Sequence, residues 1–484
     1  MAKTNIKKNY IYNLSYQILL VIIPLITTPY LSRVLGADGI GTISFAESIV
    51  SYFVLFGTFG ITIFGQREIS YVQDSVEKRS QAFWETKCLE FITAGIALLL
   101  YIPFALSLPQ NRIIYLFLSF NIIAVIFDVT WFFQGLEEFG KIVLRNFLFK
   151  LINVIYIFVF IKTKNDMVWY AFGPAFLSFL SNLSLWLYLP QYIQAPDWAI
   201  INPFRNFKIV LALFVPTIAF SITAVLDKTM IGMITKSAFE NGYYEQAMKI
   251  CRITLTLVTA LGTVMIPRIG YLFSKGEDAQ VKAYIYRGYR FVWFIGIPLS
   301  FGILGTASNF VPWFFGEGFE KVIPLLGILG FLIISNGISN VTGVQYLIPT
   351  KRENLFTKTV FIGALINFTL NSFLIYFYKS VGAAIASIIA ETCVALIQIY
   401  ILRQELSIRT IFFSAWKYLL AGGLMLILLR ALGSFLSPSV IHTAIMALAG
   451  AALYFAALTI MKDDFFLSNL RNVLFRIKAR LHPE

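Results

Sequence analysis

The stretch IYNLSYQILLVIIPLITTPYLS, residues 11–32, carries no charged side chain over 22 positions. A helix needs about 20 apolar residues to cross roughly 30 Å of hydrocarbon, so this segment has the length of one membrane crossing. It exceeds the core of a signal peptide and ends in Pro-Tyr-Leu-Ser-Arg instead of a small-residue cleavage site, and a second apolar stretch follows at once. A retained span is therefore expected. Working outward, similar stretches recur at 40–66, 86–107, 112–133, 146–163, 167–190, 208–234, 245–267, 290–315, 321–349, 359–378, 380–402, 412–433 and 440–461. They are too long and too continuously apolar for the alternating strands of a barrel, and lipid offers no partner to free backbone groups. The expected fold is all-α: a polytopic membrane protein of about fourteen transmembrane helices. Hydrophobic residues make up 58% of the chain and charged ones 13%, so no connecting segment can fold as a separate soluble domain.

The net charge of +14 is unevenly spread. Placing Lys3, Lys7 and Lys8 inside puts most of the 39 basic residues in cytoplasmic loops, as the positive-inside rule requires. Both termini then face the cytoplasm, and the tail with Lys462, Arg471, Arg476, Lys478 and Arg480 agrees with an even number of crossings. A basic inner surface against anionic membrane lipid accounts for the charge, so nucleic acid is not an expected partner.

Catalysis finds no apparatus in this sequence. Cys88, Cys251 and Cys393 are scattered at or within spans, and His442 and His482 stand far apart, so neither a disulfide framework nor a metal site is expected. No phosphate loop and no nucleophile with a plausible scaffold appears, and no cofactor is implied.

A faint internal repeat organises the chain. Ile22-Ile23-Pro24-Leu25 resembles Phe214-Val215-Pro216-Thr217, Asp38-Gly39-Ile40-Gly41 resembles Asn241-Gly242-Tyr243-Tyr244, and Gln134 to Asn153 parallels Gln345 to Asn367. Two six-helix lobes follow, 1–205 and 206–405, with 406–484 adding two C-terminal helices and a basic tail. Pro24 and Pro216 occupy matching places at the front of each lobe, where a proline that removes a helical hydrogen bond can serve as a hinge.

Ionisable groups inside a bilayer normally face a partner or an aqueous cavity. Arg33, Glu47, Asp227, Lys228, Lys249 and Arg252 fall in the outer halves of the first two helices of each lobe. Lys249 and Arg252 are three apart and share a helix face, so Lys228, Lys249 and Arg252 are expected to present cations to a cleft; Arg33 is as well explained by reaching the headgroups. Glu391 lies near mid-depth and Asp128 nearer the inner surface. Each is either a carboxyl kept neutral by burial or a group whose titration couples to transport. Asn336 with Asn340, and Asn367 with Asn371, are pairs four apart expected to line one side of a helix and bond between helices.

Three segments carry a family resemblance: Pro29-Tyr30-Leu31-Ser32-Arg33-Val34-Leu35-Gly36 followed by Gly39-Ile40-Gly41, Trp131-Phe132-Phe133-Gln134-Gly135-Leu136-Glu137, and Leu347-Ile348-Pro349-Thr350-Lys351-Arg352. In order, length and span count, the chain resembles the Wzx-type oligosaccharide flippases of the multidrug/oligosaccharidyl-lipid/polysaccharide superfamily. The resemblance implies transfer of polyprenyl-pyrophosphate-linked oligosaccharide across the plasma membrane by alternating access between two lobes, with helices 1, 2, 7 and 8 lining the cavity. It also implies a lipid-tail groove at helices 13 and 14. Capsule, exopolysaccharide or O-antigen assembly is the implied setting, with a polysaccharide polymerase as partner and a monomer as the working unit. On this footing Arg33, Lys228, Lys249 and Arg252 would receive the pyrophosphate, and Glu47, Asp128, Asp227 and Glu391 would be the acidic, ion-coupling groups. A multidrug or organic-cation exporter of the same superfamily is the first alternative, disfavoured by the span count and the positive charge. A membrane polymerase or ligase is the second, disfavoured by the short external loops.

Overall fold

The computed structural model describes residues 6–471, with side chains from residue 21 onward except at 216, 219, 220, 222–224, 260, 261, 263 and 264. The tail residues Arg476, Lys478, Arg480 and His482 and the N-terminal Lys3 lie outside the described residues, as do the side chains of Lys7 and Lys8. Helices account for nearly everything described, with no strand among the described residues. The chain divides into two compact units, Met1–Gly242 and Tyr243–Glu484.

The first unit is built from α1 (Ile6–Thr58), α2 (Ile61–Tyr71), α3 (Val76–Ser107), α4 (Arg112–Ile126), α5 (Thr130–Gly135), α6 (Phe139–Phe160), α7 (Met167–Leu185) and α8 (Phe207–Thr235). Two crossings are merged in α1, and the break between them is Gly36, at φ 70° and ψ 174°. That left-handed φ is open to glycine at little steric cost, so the chain reverses there without a loop. Through Pro24 and Pro29 the same helix keeps helical dihedrals. Helix α1 packs on α3, α4, α6 and α8, while α2 packs on α5.

The second unit holds α9 (Ala238–Ser274, whose first turn belongs to the first unit), α10 (Asp278–Phe315), α11 (Val322–Leu329), α12 (Leu332–Ser339), α13 (Glu353–Ile401), α14 (Ile408–Phe413), α15 (Trp416–Phe435) and α16 (Val440–Ile460). Residues Asn340–Leu347 after α12 form a π-helical segment. Like α1, α13 joins two crossings, here at Lys379 with φ 54° and ψ −130°. At its centre α10 carries α11, α12, α15 and α16. The two C-terminal helices are anchored there by Tyr454, whose hydroxyl donates to the Phe294 carbonyl at 2.9 Å, and by Asn309, which donates to the Leu436 and Ser437 carbonyls.

Ten helical segments among the described residues are long and apolar enough to cross a membrane. Two of them, Val21–Tyr71 and Glu353–Ile401, contain the breaks at Gly36 and Lys379; with α8 and α9 added, every one of the fourteen sequence stretches has its helix. The interior is apolar, but so is much of the outer surface, and several polar side chains are enclosed. Leu99, Leu187, Phe435 and Ile460 are 75–86% exposed, whereas Lys87, Asn241, Gln246, Asn371 and Gln398 are fully enclosed. Apolar surface on this scale fits hydrocarbon as the surrounding solvent. The sequence boundary at 205/206 and the parting of the compact units at 242/243 differ by α8, which packs on α1 and α2.

Candidate functional site

Of the charged residues singled out by depth, Arg33, Glu47, Asp128, Asp227 and Lys228 lie in the first unit, and Lys249, Arg252 and Glu391 in the second. Arg33 is exposed just before the Gly36 break and donates to the Pro29 carbonyl at 3.0 Å, back along its own helix. Glu47 is exposed on the second half of α1. Across from it, α8 places Asp227 and Lys228 in buried positions, seven or eight residues before its C-terminal end, or roughly 10 Å along the axis. The contact between the two helices is a polar chain: Tyr52 donates to Thr229 Oγ1 at 3.2 Å, and Thr229 donates to Ser48 Oγ at 3.0 Å. Asp227 is within electrostatic reach of the Tyr52 hydroxyl. Pro24 sits in regular helix, and the side chain of Pro216 lies outside the described residues.

On α9, Lys249 is half-buried and Arg252 is exposed, roughly 16 and 21 Å along the axis from Ala238. Glu391 on α13 is half-buried and accepts a hydrogen bond from Asn336 Nδ2 at 3.1 Å, with the Ser335 and Thr392 hydroxyls joined at 2.8 Å beside it. The amide pairs separate in behaviour. Asn371 donates to Asn367 at 3.0 Å, and both are buried on one side of α13. Asn336 makes the expected bond between helices, to Glu391, while Asn340, whose backbone amide donates to the Asn336 carbonyl, accepts from Gln345 at 3.0 Å.

The sequence reading overlooked a buried ion pair in α3. Lys87 is wholly enclosed and Glu90 nearly so, with Lys87 Nζ 2.6 Å from Glu90 Oε2 and donating to the Asp128 carbonyl at 2.7 Å. The ammonium also faces the Phe91 and Trp186 rings at 5.3 and 5.8 Å. Asp128 is thereby part of a structural junction: its Oδ1 accepts the Thr130 amide at 2.8 Å where α4 gives way to α5. The available signal was a Lys and a Glu three apart inside an otherwise apolar span.

The motif segments do packing work. Trp131, Phe132 and Phe133 are enclosed in a core with Phe64 and Ile69 of α2, and the chain turns at Glu137 with φ 60°. At Gly41 and Gly242 the backbones of α1 and the first turn of α9 meet so closely that a Cβ on either would strike the other's main chain. After Lys351, Arg352 grips Glu405 through two hydrogen bonds of 2.6 and 3.1 Å, while Tyr346 donates to the same carboxylate at 2.6 Å. Glu405 is consequently held below the ordinary carboxyl range, first by its bond from Arg352. Cys88, Cys251 and Cys393 are free, and no cluster of metal-ligating side chains occurs among the described residues.

Residues 6–273, more than half of the chain, match the family described as polysaccharide biosynthesis protein. The chain belongs to that family. A protein of Escherichia coli (strain K12) named as an O-antigen transporter is 24% identical over 413 residues, covering 83% of this chain and 98% of the relative. The flippase Agl15 of Haloferax volcanii, named for low-salt glycan biosynthesis, is 25% identical over 184 residues, 38% of this chain and 39% of that one. Among solved structures, lipid II flippase MurJ in its inward closed conformation superposes with a TM-score of 0.72 at 14% identity, covering 94% of this chain and 99% of MurJ. An inward-facing multidrug resistance MATE transporter gives 0.58 at 11% identity and covers 79% of this chain. The fold of this family member is therefore that of a polytopic membrane transporter, and MurJ accounts for more of it than the multidrug protein does.

Proposed function

We propose that the protein flips polyprenyl-pyrophosphate-linked oligosaccharide from the inner to the outer leaflet of the plasma membrane by alternating access. What supports the reading is the family membership of a chain that carries Lys228 buried on α8 and Lys249 and Arg252 in the first half of α9. A cation in hydrocarbon costs about 2.5–3.5 kcal/mol on insertion scales, a cost that is offset where it faces water or an anion. A pyrophosphate is the anion such a chain must desolvate. Lysine and arginine donors in a low-dielectric cleft can replace its water, while the prenyl chain stays in lipid as the head crosses. Both termini are assigned to the cytoplasm, with the two lobes and the hinge role of Pro24 and Pro216 as part of the same proposal. Arg33 and the carboxylates Glu47, Asp227 and Glu391 belong to the path, the last as the ion-coupling group. The polymerase of the same assembly line is the proposed partner, and a monomer the working unit.

The test is accumulation of lipid-linked glycan in cells. Removing one charge-assisted contact costs roughly 1.5–3 kcal/mol, or about tenfold or more in transport. Lys249→Gln/Arg252→Gln should trap lipid-linked oligosaccharide on the cytoplasmic side, and Lys78→Gln, an exposed loop-end control, should not. Normal export by the double variant at normal protein level would sink the assignment of these cations to the pyrophosphate.

A further inference from the structure

A cleft of about 190 Å³ opens between α6 and α7, wholly within the first unit and apart from the charged residues discussed so far. Arg145 and Lys150 line it, and no carboxylate does. Arg145 is buried and held in place: its guanidinium donates to Asn146 Oδ1 at 2.7 Å, to Asn182 Oδ1 at 3.3 Å and to Thr130 Oγ1 at 3.4 Å. Asn182 is itself fixed by donating to the Ala124 carbonyl at 2.8 Å. Lys150, by contrast, makes no hydrogen bond or ion pair among the described residues. It is an exposed side chain about 16 Å along the axis from Phe139, near the start of the span expected at 146–163, so its ammonium is open to an anion at the mouth of the cleft.

A second polar atom in the cleft lacks a partner. Asn153 Oδ1 is buried and accepts nothing. Asn146, Lys150 and Asn153 are four and three residues apart, so they share one face of α6. Ser178 of α7 completes the polar lining. The cleft therefore offers an exposed ammonium to an anion and, three residues along, a buried amide oxygen that needs a hydroxyl or similar donor, since buried polar groups are otherwise satisfied.

We infer that this cleft binds a phosphate ester flanked by hydroxyl groups, the chemistry of a glycosyl phosphate headgroup. The inference rests on the flippase reading for its biological source, but the site itself stands on Arg145, Lys150 and Asn153. Lys150 and Arg145 receive the phosphate, and Asn153 accepts from a neighbouring hydroxyl. Two sources share this chemistry: the glycosyl pyrophosphate of the transported lipid, and a resident phosphatidylglycerol.

The experiment is lipid binding by native mass spectrometry of the full-length protein released from detergent micelles, with three probes. Phosphatidylglycerol offers phosphate and hydroxyls, phosphatidylmethanol the same charge without hydroxyls, and a polyprenyl-pyrophosphate-linked sugar represents the substrate. Wild type should prefer phosphatidylglycerol to phosphatidylmethanol. Lys150→Gln should weaken binding of every bound probe about tenfold, Lys150→Arg should restore it, and Asn153→Leu should erase the preference for hydroxyls while keeping the phosphate. Binding of the sugar lipid alone identifies the substrate head, and binding of phosphatidylglycerol alone identifies a resident lipid; either supports the site. Unchanged affinities in both Lys150→Gln and Asn153→Leu overturn it. That result would leave the flippase reading intact, because the latter fails only through export by the Lys249→Gln/Arg252→Gln variant.

Discussion

Replacing Glu90 by Met strands the Lys87 ammonium in a place from which water is excluded. The pair is 2.6 Å apart and essentially inaccessible, so removing one partner falls in the class of broken buried ion pairs, which costs about 3–5 kcal/mol. The Asp128 carbonyl at 2.7 Å and the Phe91 and Trp186 rings still face the ammonium, which puts Glu90→Met toward the lower end, about 3 kcal/mol. Lys87→Met leaves the carboxylate and the Asp128 carbonyl both without their donor and should cost at least as much. In Lys87→Met/Glu90→Met no charge remains, and the chief loss is the donor to one buried carbonyl, about 1–3 kcal/mol, offset by apolar packing. The double variant should therefore be more stable than either single one. Thermal unfolding of the purified protein in detergent would rank the four forms. If the double variant loses as much as the two single variants added together, Lys87 and Glu90 are not energetically coupled and the reasoning fails.

Four other outcomes follow. Glu405 is held below its ordinary range by Arg352, so its share of stability is present above the carboxyl value of the unfolded chain and is lost as pH falls through the lower folded value. Glu405→Gln should cost about 1 kcal/mol near neutral pH, since the pair is partly exposed, and should flatten the melting profile below about pH 4.5; an unchanged acid limb would remove the ion pair from the account. Glu391→Gln should keep the protein folded and inserted while weakening dependence of transport on a proton gradient, and a reconstituted assay with unaltered gradient dependence would leave Glu391 as a hydrogen-bonding partner of Asn336 only. Gly242→Val should abolish accumulation of folded protein, because its side chain would meet the Ala37 main chain; normal yield in fluorescence-detected gel filtration would contradict the close approach. Cysteines placed at Lys275 and Glu317, both exposed, should react only with membrane-permeant reagent at 275 and also with impermeant reagent at 317, and the opposite pattern would reverse the proposed orientation.

The helices were legible in the sequence because hydrocarbon thickness imposes a length that apolar runs must meet. Even the break at Lys379 fell between the expected spans 359–378 and 380–402. Less legible were features set by side-chain direction. The expected span 112–133 hides the interruption between Ile126 and Thr130, since Phe127, Asp128 and Val129 are not turn formers as a group and only the Asp128 cap shows why the chain bends. The π-helical segment Asn340–Leu347 has no period that apolar patterning reveals. Lys87 and Arg145 fall at the edges of the expected spans 86–107 and 146–163, so depth in the sequence does not single them out. What spacing could not give was which of these charges meets a partner: Lys87 finds one 2.6 Å away, and Lys150 finds none among the described residues.

The turn at Lys379 has a bearing on how the chain enters the membrane at all. Its two flanking segments are joined through a single non-helical residue, and Gly382 lies so near the Leu374 and Ile375 main chain that no slack exists between them. A translocation machine that released crossings one at a time would have to hold the first while the second was still being synthesised, with the tip already folded back. Segments this tightly joined bury more polar surface by entering lipid together as a helical hairpin, each half covering part of the other. Asn371, Asn367 and Ser387, bonded along that seam, are the groups so covered. In the proposed orientation the Lys379 ammonium is carried across at the tip of the hairpin.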